Sequence, residues 1–390
     1  MLWRYGSPAD VVAELSPRDP VVCIHPDRLR EAAARMIDAF PGDVLYAVKC
    51  NDMAPVVRAL HGAGVRHFDT ASVNEVRMIR DTFPDAECHF MHPVKSREAI
   101  AEAYHQHGVR VFALDHGDEL AKIMEATDHA DDLMLVVRLA VDAGQAMLDL
   151  SGKFGASPRE AARLLNRCRR TGARLGLTFH VGSQCERPEA FTRAIETAGR
   201  VARMAKVPLD VLDVGGGLPG GYDEEPRLRA YIEAINEGVR KAGFGPETRL
   251  QCEPGRALAA PGVTIISRVE LRRDHALFIN DGVFGRLSEL KFLGPRFPMA
   301  VIRPGGRVGR RKASFRLYGP TCDSVDTMPG PFLLPADVKE GDWIAIDSMG
   351  AYSTALRTRF NGFDTDSLVV LRDQADPAAA EPPRLAAAAS

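Results

Sequence analysis

Between residues 44 and 253, short apolar runs alternate with stretches whose apolar positions recur every three or four residues. The first run, Val44-Leu45-Tyr46-Ala47-Val48-Lys49-Cys50-Asn51, follows the turn residues Pro41-Gly42-Asp43 and reads as a buried strand. Seven more strands are expected at 66–69, 87–92, 109–114, 133–138, 175–180, 209–214 and 249–253. Helical spacing fills most of the gaps, as with Leu29, Ala32, Ala33 and Met36 after His25-Pro26-Asp27. Eight strand–helix units predict a (β/α)₈ barrel over residues 26–260. Beyond it the pattern changes to strands at 263–271, 276–280, 314–318, 343–347 and 367–371, joined by Pro/Gly loops. These predict a second, mostly antiparallel β domain of residues 261–373, which the strand at 20–24 joins with the rest of residues 1–25. The Ala/Pro-rich tail, 374–390, is expected to be disordered.

Polar residues fall where a barrel would gather them. Lys49, Asp69, His92, Arg138, His180, Asp213 and Glu253 all sit at or near the ends of barrel strands. In this fold those ends converge on one mouth, where chemistry is done. A lysine ending a buried strand must be paired, neutralised or used covalently, and desolvation is expected to lower its pKa and make the amine nucleophilic.

Composition narrows the function. A formal net charge of -2 argues against a nucleic-acid or membrane-surface partner. Seven scattered cysteines without metal-ligand spacing point to reduced thiols, no metal site and a cytoplasmic setting. The N-terminal residues carry Arg4, Asp10 and Glu14 and no long apolar run, so neither a leader nor a membrane span is expected.

Asp213-Val214-Gly215-Gly216-Gly217-Leu218-Pro219-Gly220 follows a strand, and its glycines would let backbone N–H groups approach an anion. Glu253-Pro254-Gly255-Arg256 adds a carboxylate and a guanidinium. An amine, an anion loop, an arginine and a carboxylate for a ring nitrogen together describe a site for pyridoxal phosphate. In Phe179-His180-Val181-Gly182-Ser183 the histidine could lie on the ring and Ser183 could donate to the phosphate.

With these motifs in view the chain resembles the fold-type III pyridoxal-phosphate decarboxylases of basic amino acids, in particular the ornithine decarboxylases. The motifs are YAVKCN (46–51), FDTAS with Glu75, HVGSQ (180–184), DVGGGLPG (213–220), CEPGR (252–256), YGPTCDSVD (318–326), GAYS (350–353) and FNGF (360–363). The resemblance implies that Lys49 holds the cofactor covalently, with Asp69, Glu75 and Arg138 nearby, His180 on the ring and Glu253 at its nitrogen. Ser183, Gly216, Gly217, Gly255, Arg256 and Tyr352 would hold the phosphate. It implies a homodimer with shared sites, in which Cys322 returns a proton to the substrate carbon and Asp323 binds a distal ammonium. Phe284, Phe360 and Leu293 would line the substrate. The activity implied is α-decarboxylation of a diamino acid, L-ornithine or L-lysine.

One departure matters. Counting from Asn280-Asp281-Gly282, the family's usual substrate-reading acid is replaced by Phe292-Leu293, with Glu289 one helical turn earlier as a substitute acid. Arg286, Lys291 and Arg296 are the basic residues that could meet an acidic substrate group instead. The alternatives are a carboxylated polyamine, diaminopimelate or another modified amino acid as substrate, and, from another class, a non-catalytic regulator of the same fold.

Overall fold

A computed structural model describes residues 5–141, 146–148, 152–220 and 228–372, so the tail expected to be disordered lies outside the described residues. After a first helix, Pro8–Leu15, capped by Ser7, comes β1 (Val21–Ile24). Then follow β2 (Asp43–Ala47), β3 (His67–Thr70), β4 (Glu87–Phe90), β5 (Val111–Leu114), β6 (Met134–Leu139), β7 (Ala146–Leu148), β8 (Arg174–Phe179), β9 (Ser183–Cys185), β10 (Val211–Asp213) and β11 (Arg249–Cys252). All of these but β1, β7 and β9 close into one parallel barrel, in the order β10-β11-β2-β3-β4-β5-β6-β8. The (β/α)₈ expectation therefore holds. β7 and β9 pair as a small separate sheet at its rim.

Alternation along the strands sorts side chains between two cores. Tyr46, Phe68, Cys88, Phe90 and Phe112 face the surrounding helices in the main core. Met91, Ala113, Met134, Val136 and Val211 fill the barrel interior.

The rest of the chain forms an eight-stranded, curled sheet from β1, β12 (Val263–Arg273), β13 (Ala276–Ile279), β14 (Met299–Ile302), β15 (Lys312–Tyr318), β16 (Thr327–Pro335), β17 (Trp343–Ile346) and β18 (Leu368–Val370). β1 pairs antiparallel with β12 and parallel with β18, which ties the N-terminal residues into this sheet. The two strands absent from the sequence expectation, β14 and β16, are the ends of the main strand path. β16 reads Thr-Met-Pro-Gly-Pro-Phe-Leu-Leu-Pro, and an edge tolerates prolines that an interior strand would not. Among the described residues no helix is long and apolar enough to cross a membrane.

Candidate active site

The lysine stretch is not strand to its end. β2 stops at Ala47, and Val48–Cys50 form a single 3₁₀ turn that carries Lys49 at the barrel mouth with its side chain 43% exposed. The turn is fixed from several sides: Tyr46 Oη donates to the Asn51 carbonyl at 2.9 Å, and Asn51 Nδ2 donates to the Gly350 carbonyl at 2.8 Å. The Tyr352 N–H donates to the Cys50 carbonyl at 3.0 Å, with Tyr352 itself in a left-handed conformation, φ 52°.

Lys49 Nζ is hydrogen-bonded to Asp69, which is 1% exposed. Burial pulls the lysine pKa down, but Asp69, Glu253 and Tyr352 outweigh it and raise it above the ordinary value. This corrects the expectation from desolvation: with the cleft arranged as here the group is an ammonium, because two acids face it. The amine becomes a nucleophile only when its proton is taken up.

Glu253 and Asp213 lie side by side. Burial pushes the Glu253 carboxyl well up, and the charges of Asp213 and Asp69 push it further. Asp213 is also raised by burial, although hydrogen bonds from Glu253 and from the Gly215 N–H at 2.8 Å oppose the shift. Both carboxyls are raised, so the proton belongs to the pair rather than to either residue alone. His180 is pushed down to about 3 by burial and by the charges of Arg138 and Lys49, so it is neutral. Its Nδ1 accepts the Gly182 N–H at 3.0 Å, which leaves the ring proton on Nε2.

Above His180 sits the glycine loop. A Cβ on Gly216 would lie 2.9 Å from both His180 Nε2 and the Glu253 carbonyl. Gly217, at φ +100°, could not carry a side chain without strain. Beside it Arg256 is 4% exposed, ion-paired with Glu289, 5.0 Å over the Tyr352 ring, and 3.4 Å from Ser183 Oγ. Gly255 packs on Cys50. Glu75 starts the helix Val73–Thr82, its carboxylate accepting the Ala71 N–H at 2.6 Å.

Residues 27–260 match the family described as "Pyridoxal-dependent decarboxylase, pyridoxal binding domain", and residues 181–350 match its "C-terminal sheet domain". The chain belongs to the pyridoxal-dependent decarboxylases. It is 31% identical over 347 residues to the lysine/ornithine decarboxylase of Selenomonas ruminantium, covering 86% of this chain and 85% of that one. The arginine decarboxylase of Paramecium bursaria Chlorella virus, solved with agmatine, superposes with a TM-score of 0.82 at 27% identity over 93% of this chain and 98% of that one. The lysine/ornithine decarboxylase of Vibrio vulnificus, solved with putrescine, gives a TM-score of 0.78 at 30% identity, with 93% and 96% covered.

This decarboxylase is therefore a pyridoxal-phosphate-dependent carboxy-lyase acting on a basic amino acid. The barrel mouth fits the cofactor: it offers an amine, a glycine cradle that side chains would fill, a buried guanidinium and a buried pair of carboxyls.

Four further expected site residues, Cys322, Asp323, Phe284 and Phe360, group together. Cys322, the one exposed cysteine of seven, is bonded through Sγ to Asn361 Oδ1 at 3.3 Å. Asp323 accepts the Val325 N–H at 2.8 Å, and Phe284 and Phe360 meet with ring centroids 4.8 Å apart. These four belong to the part of the chain that forms the sheet domain. Arg138 and His92 both flank Phe154, at 5.6 and 5.2 Å.

Just past the helix Ser288–Phe292, Leu293 is 3% exposed and packs into the main core. Glu289 is not a spare acid for a substrate tail, because Arg256 claims it. Arg286 is 1% exposed and tied to Thr365 and Asp281, and Arg296 pairs with Glu186 at 3.1 Å. Sequence reasoning could have flagged Asn361 as the partner of Cys322 only through the FNGF motif, since 39 residues separate the two.

Glu75 offers a pH test. Burial, opposed by the Ala71 N–H, lifts its carboxyl to about 7, above its ordinary value in an unfolded chain. The folded state binds the extra proton, so this stabilisation is complete in acid and is lost as pH rises through about 7. Glu75→Gln keeps an acceptor for Ala71. The cofactor-free variant should therefore gain thermal stability relative to wild type at pH 8 compared with pH 5; an unchanged difference would remove the shift.

Proposed function

We propose that the protein decarboxylates a diamino acid, L-ornithine or L-lysine, at its α-carbon, in sites shared between two copies of the chain. When bound, pyridoxal phosphate supplies an electron sink for the bond to the departing carboxylate. Lys49 holds the cofactor covalently, and Asp69 keeps the amine positioned and takes part in its proton balance. Glu253 presents its carboxyl proton to the ring nitrogen, with Asp213 as the partner that keeps that proton in place. His180, neutral and held by Gly182, stacks on the ring without adding charge. Ser183, Gly216, Gly217, Gly255, Arg256 and Tyr352 receive the phosphate. Glu75 and Arg138 close the mouth around it.

The single observation that carries the reading is the joint placement of Lys49, Asp69, His180 and Glu253 under the Gly216-Gly217 loop. Support for the diamino substrate comes from the lysine/ornithine decarboxylases above and from Asp323 as an acid on the sheet domain.

The shared site rests on surface chemistry. Exposed apolar side chains lie beside Cys322 and Asp323: Val325, whose N–H bonds Asp323, and Phe360, next to the Asn361 that bonds Cys322. Such a patch suits burial against a second copy, which would bring the Cys322 thiol to the partner's lysine. There Cys322 protonates the substrate carbon and Asp323 takes the distal ammonium.

The burial of Leu293 and the engagement of Glu289 favour a second reading, in which the substrate tail is longer or modified, as in a carboxylated polyamine. Mass spectrometry of products from ornithine, lysine, arginine, diaminopimelate and carboxylated polyamines separates the two; turnover of only the last two groups would overturn the first. Mixing inactive Lys49→Ala and Cys322→Ala chains should restore up to about a quarter of wild-type activity, the share expected when one of two sites is intact in half the dimers. No recovery at all would count against shared sites.

A further inference from the structure

The strands that present Lys49 and Asp69 at the mouth carry a second polar cluster at their other end. In β2, β3, β4 and β11, Val44, Phe68, Cys88 and Leu250 face the helix-side core. By alternation their neighbours Asp43, His67, Glu87, His89, Arg249 and Gln251 belong to the barrel interior at its N-terminal end. Small barrels usually fill this region with aliphatic layers. Two imidazoles and a carboxylate here need a reason.

The geometry supplies one. His67 Nδ1 lies 3.4 Å from His89 Nε2 and 3.4 Å from a Glu87 carboxylate oxygen. One donor atom from each of the three residues falls within 4.8 Å of the others. A tetrahedral ion with bonds of about 2.0–2.2 Å separates neighbouring donors by roughly 3.3–3.6 Å. Two of the three separations already have that value. Register makes the group: His67 pairs with Glu87, and Asp69 with His89.

The surroundings are those of a ligand set. His89 is 3% exposed and turns its Nε2 toward His67. The second nitrogen of His67 faces Asp43 at 3.7 Å, and Asp43 is itself held by Arg249 at 2.5 Å and Gln251 at 3.2 Å. A carboxylate behind a histidine, anchored in turn, is the arrangement that orients metal-binding imidazoles. Two nitrogens and one oxygen suit zinc-like ions and not calcium or magnesium.

We propose that His67, Glu87 and His89 bind a divalent transition-metal ion of the zinc class, with water as the fourth ligand, in a site separate from the cofactor cleft. The ion would bridge β3 to β4 and close the bottom of the barrel. Sequence spacing hides such a site, because the ligands come from neighbouring strands about twenty residues apart. A plain ion pair between His67 and Glu87 is the competing account, and it would be weak, since Glu87 is 70% exposed.

Cofactor-loaded enzyme, treated with chelator and dialysed, is titrated with zinc chloride by isothermal calorimetry. The expected result is one equivalent per chain that His67→Gln removes and that Asp43→Asn weakens by about 10–100-fold. The visible cofactor band reports that each variant is folded. Should His67→Gln lose that band, Glu87→Gln at the exposed rim makes the same comparison. Absence of a stoichiometric zinc site in the wild type, or equal zinc binding by wild type and the folded variants, overturns the proposal.

Discussion

Lys49→Arg is expected to fold, to keep the cation that Asp69 requires, and to lose decarboxylation by at least about 10⁴-fold, the upper range for one positioned proton-transfer group. Arginine keeps the charge but cannot condense with an aldehyde, whereas the role proposed for Lys49 is that of covalent anchor and proton carrier. The choice of arginine over alanine follows from Asp69, which is 1% exposed and would be left as a buried carboxylate without its cation. The measurement is a visible absorption band, quenched by borohydride in wild type and absent in the variant, together with carbon dioxide release. Retention of turnover in Lys49→Arg would remove this residue from the reaction.

Glu253→Gln should produce the next largest loss, about 10²–10⁴-fold in kcat. In the present structure burial and the neighbouring Asp213 push the Glu253 carboxyl well up, so that the pair binds a proton. A glutamine of the same shape cannot pass that proton to a ring nitrogen, so the electron sink weakens while the pocket keeps its size. Cofactor affinity should change little, because Arg256, Ser183 and the glycine loop are untouched; an absorbance titration of cofactor-free protein checks this. Wild-type kcat in Glu253→Gln would contradict the assignment. Loss of cofactor binding with kcat preserved would make Glu253 a binding residue instead.

The barrel was legible in the chain because each strand pairs with neighbours one unit away and buries both faces, which writes apolar runs into the sequence. The polar residues at strand ends were legible for the same reason: one register serves all of them. The state of Lys49 was not, because its charge depends on Asp69 and Glu253, brought together only by closure of the barrel. Strands β14 and β16 escaped because edges relax the rules against proline. Glu289 was misjudged on helical spacing alone, since its partner Arg256 is 33 residues away in sequence. Cys322 stood out by motif, but its exposure beside Asn361 is a property of the folded sheet domain.

The turn bearing Lys49 is clasped by Gly350 and Tyr352, with Asn51 and Gly350 separated by 299 residues. A nascent chain emerging from the ribosome can close its barrel strands long before residues 350–352 exist. The turn is therefore finished only once residues 350–352 have been made and docked. A truncated translation product would carry every barrel residue of the cofactor site and still lack the clasp that shapes it.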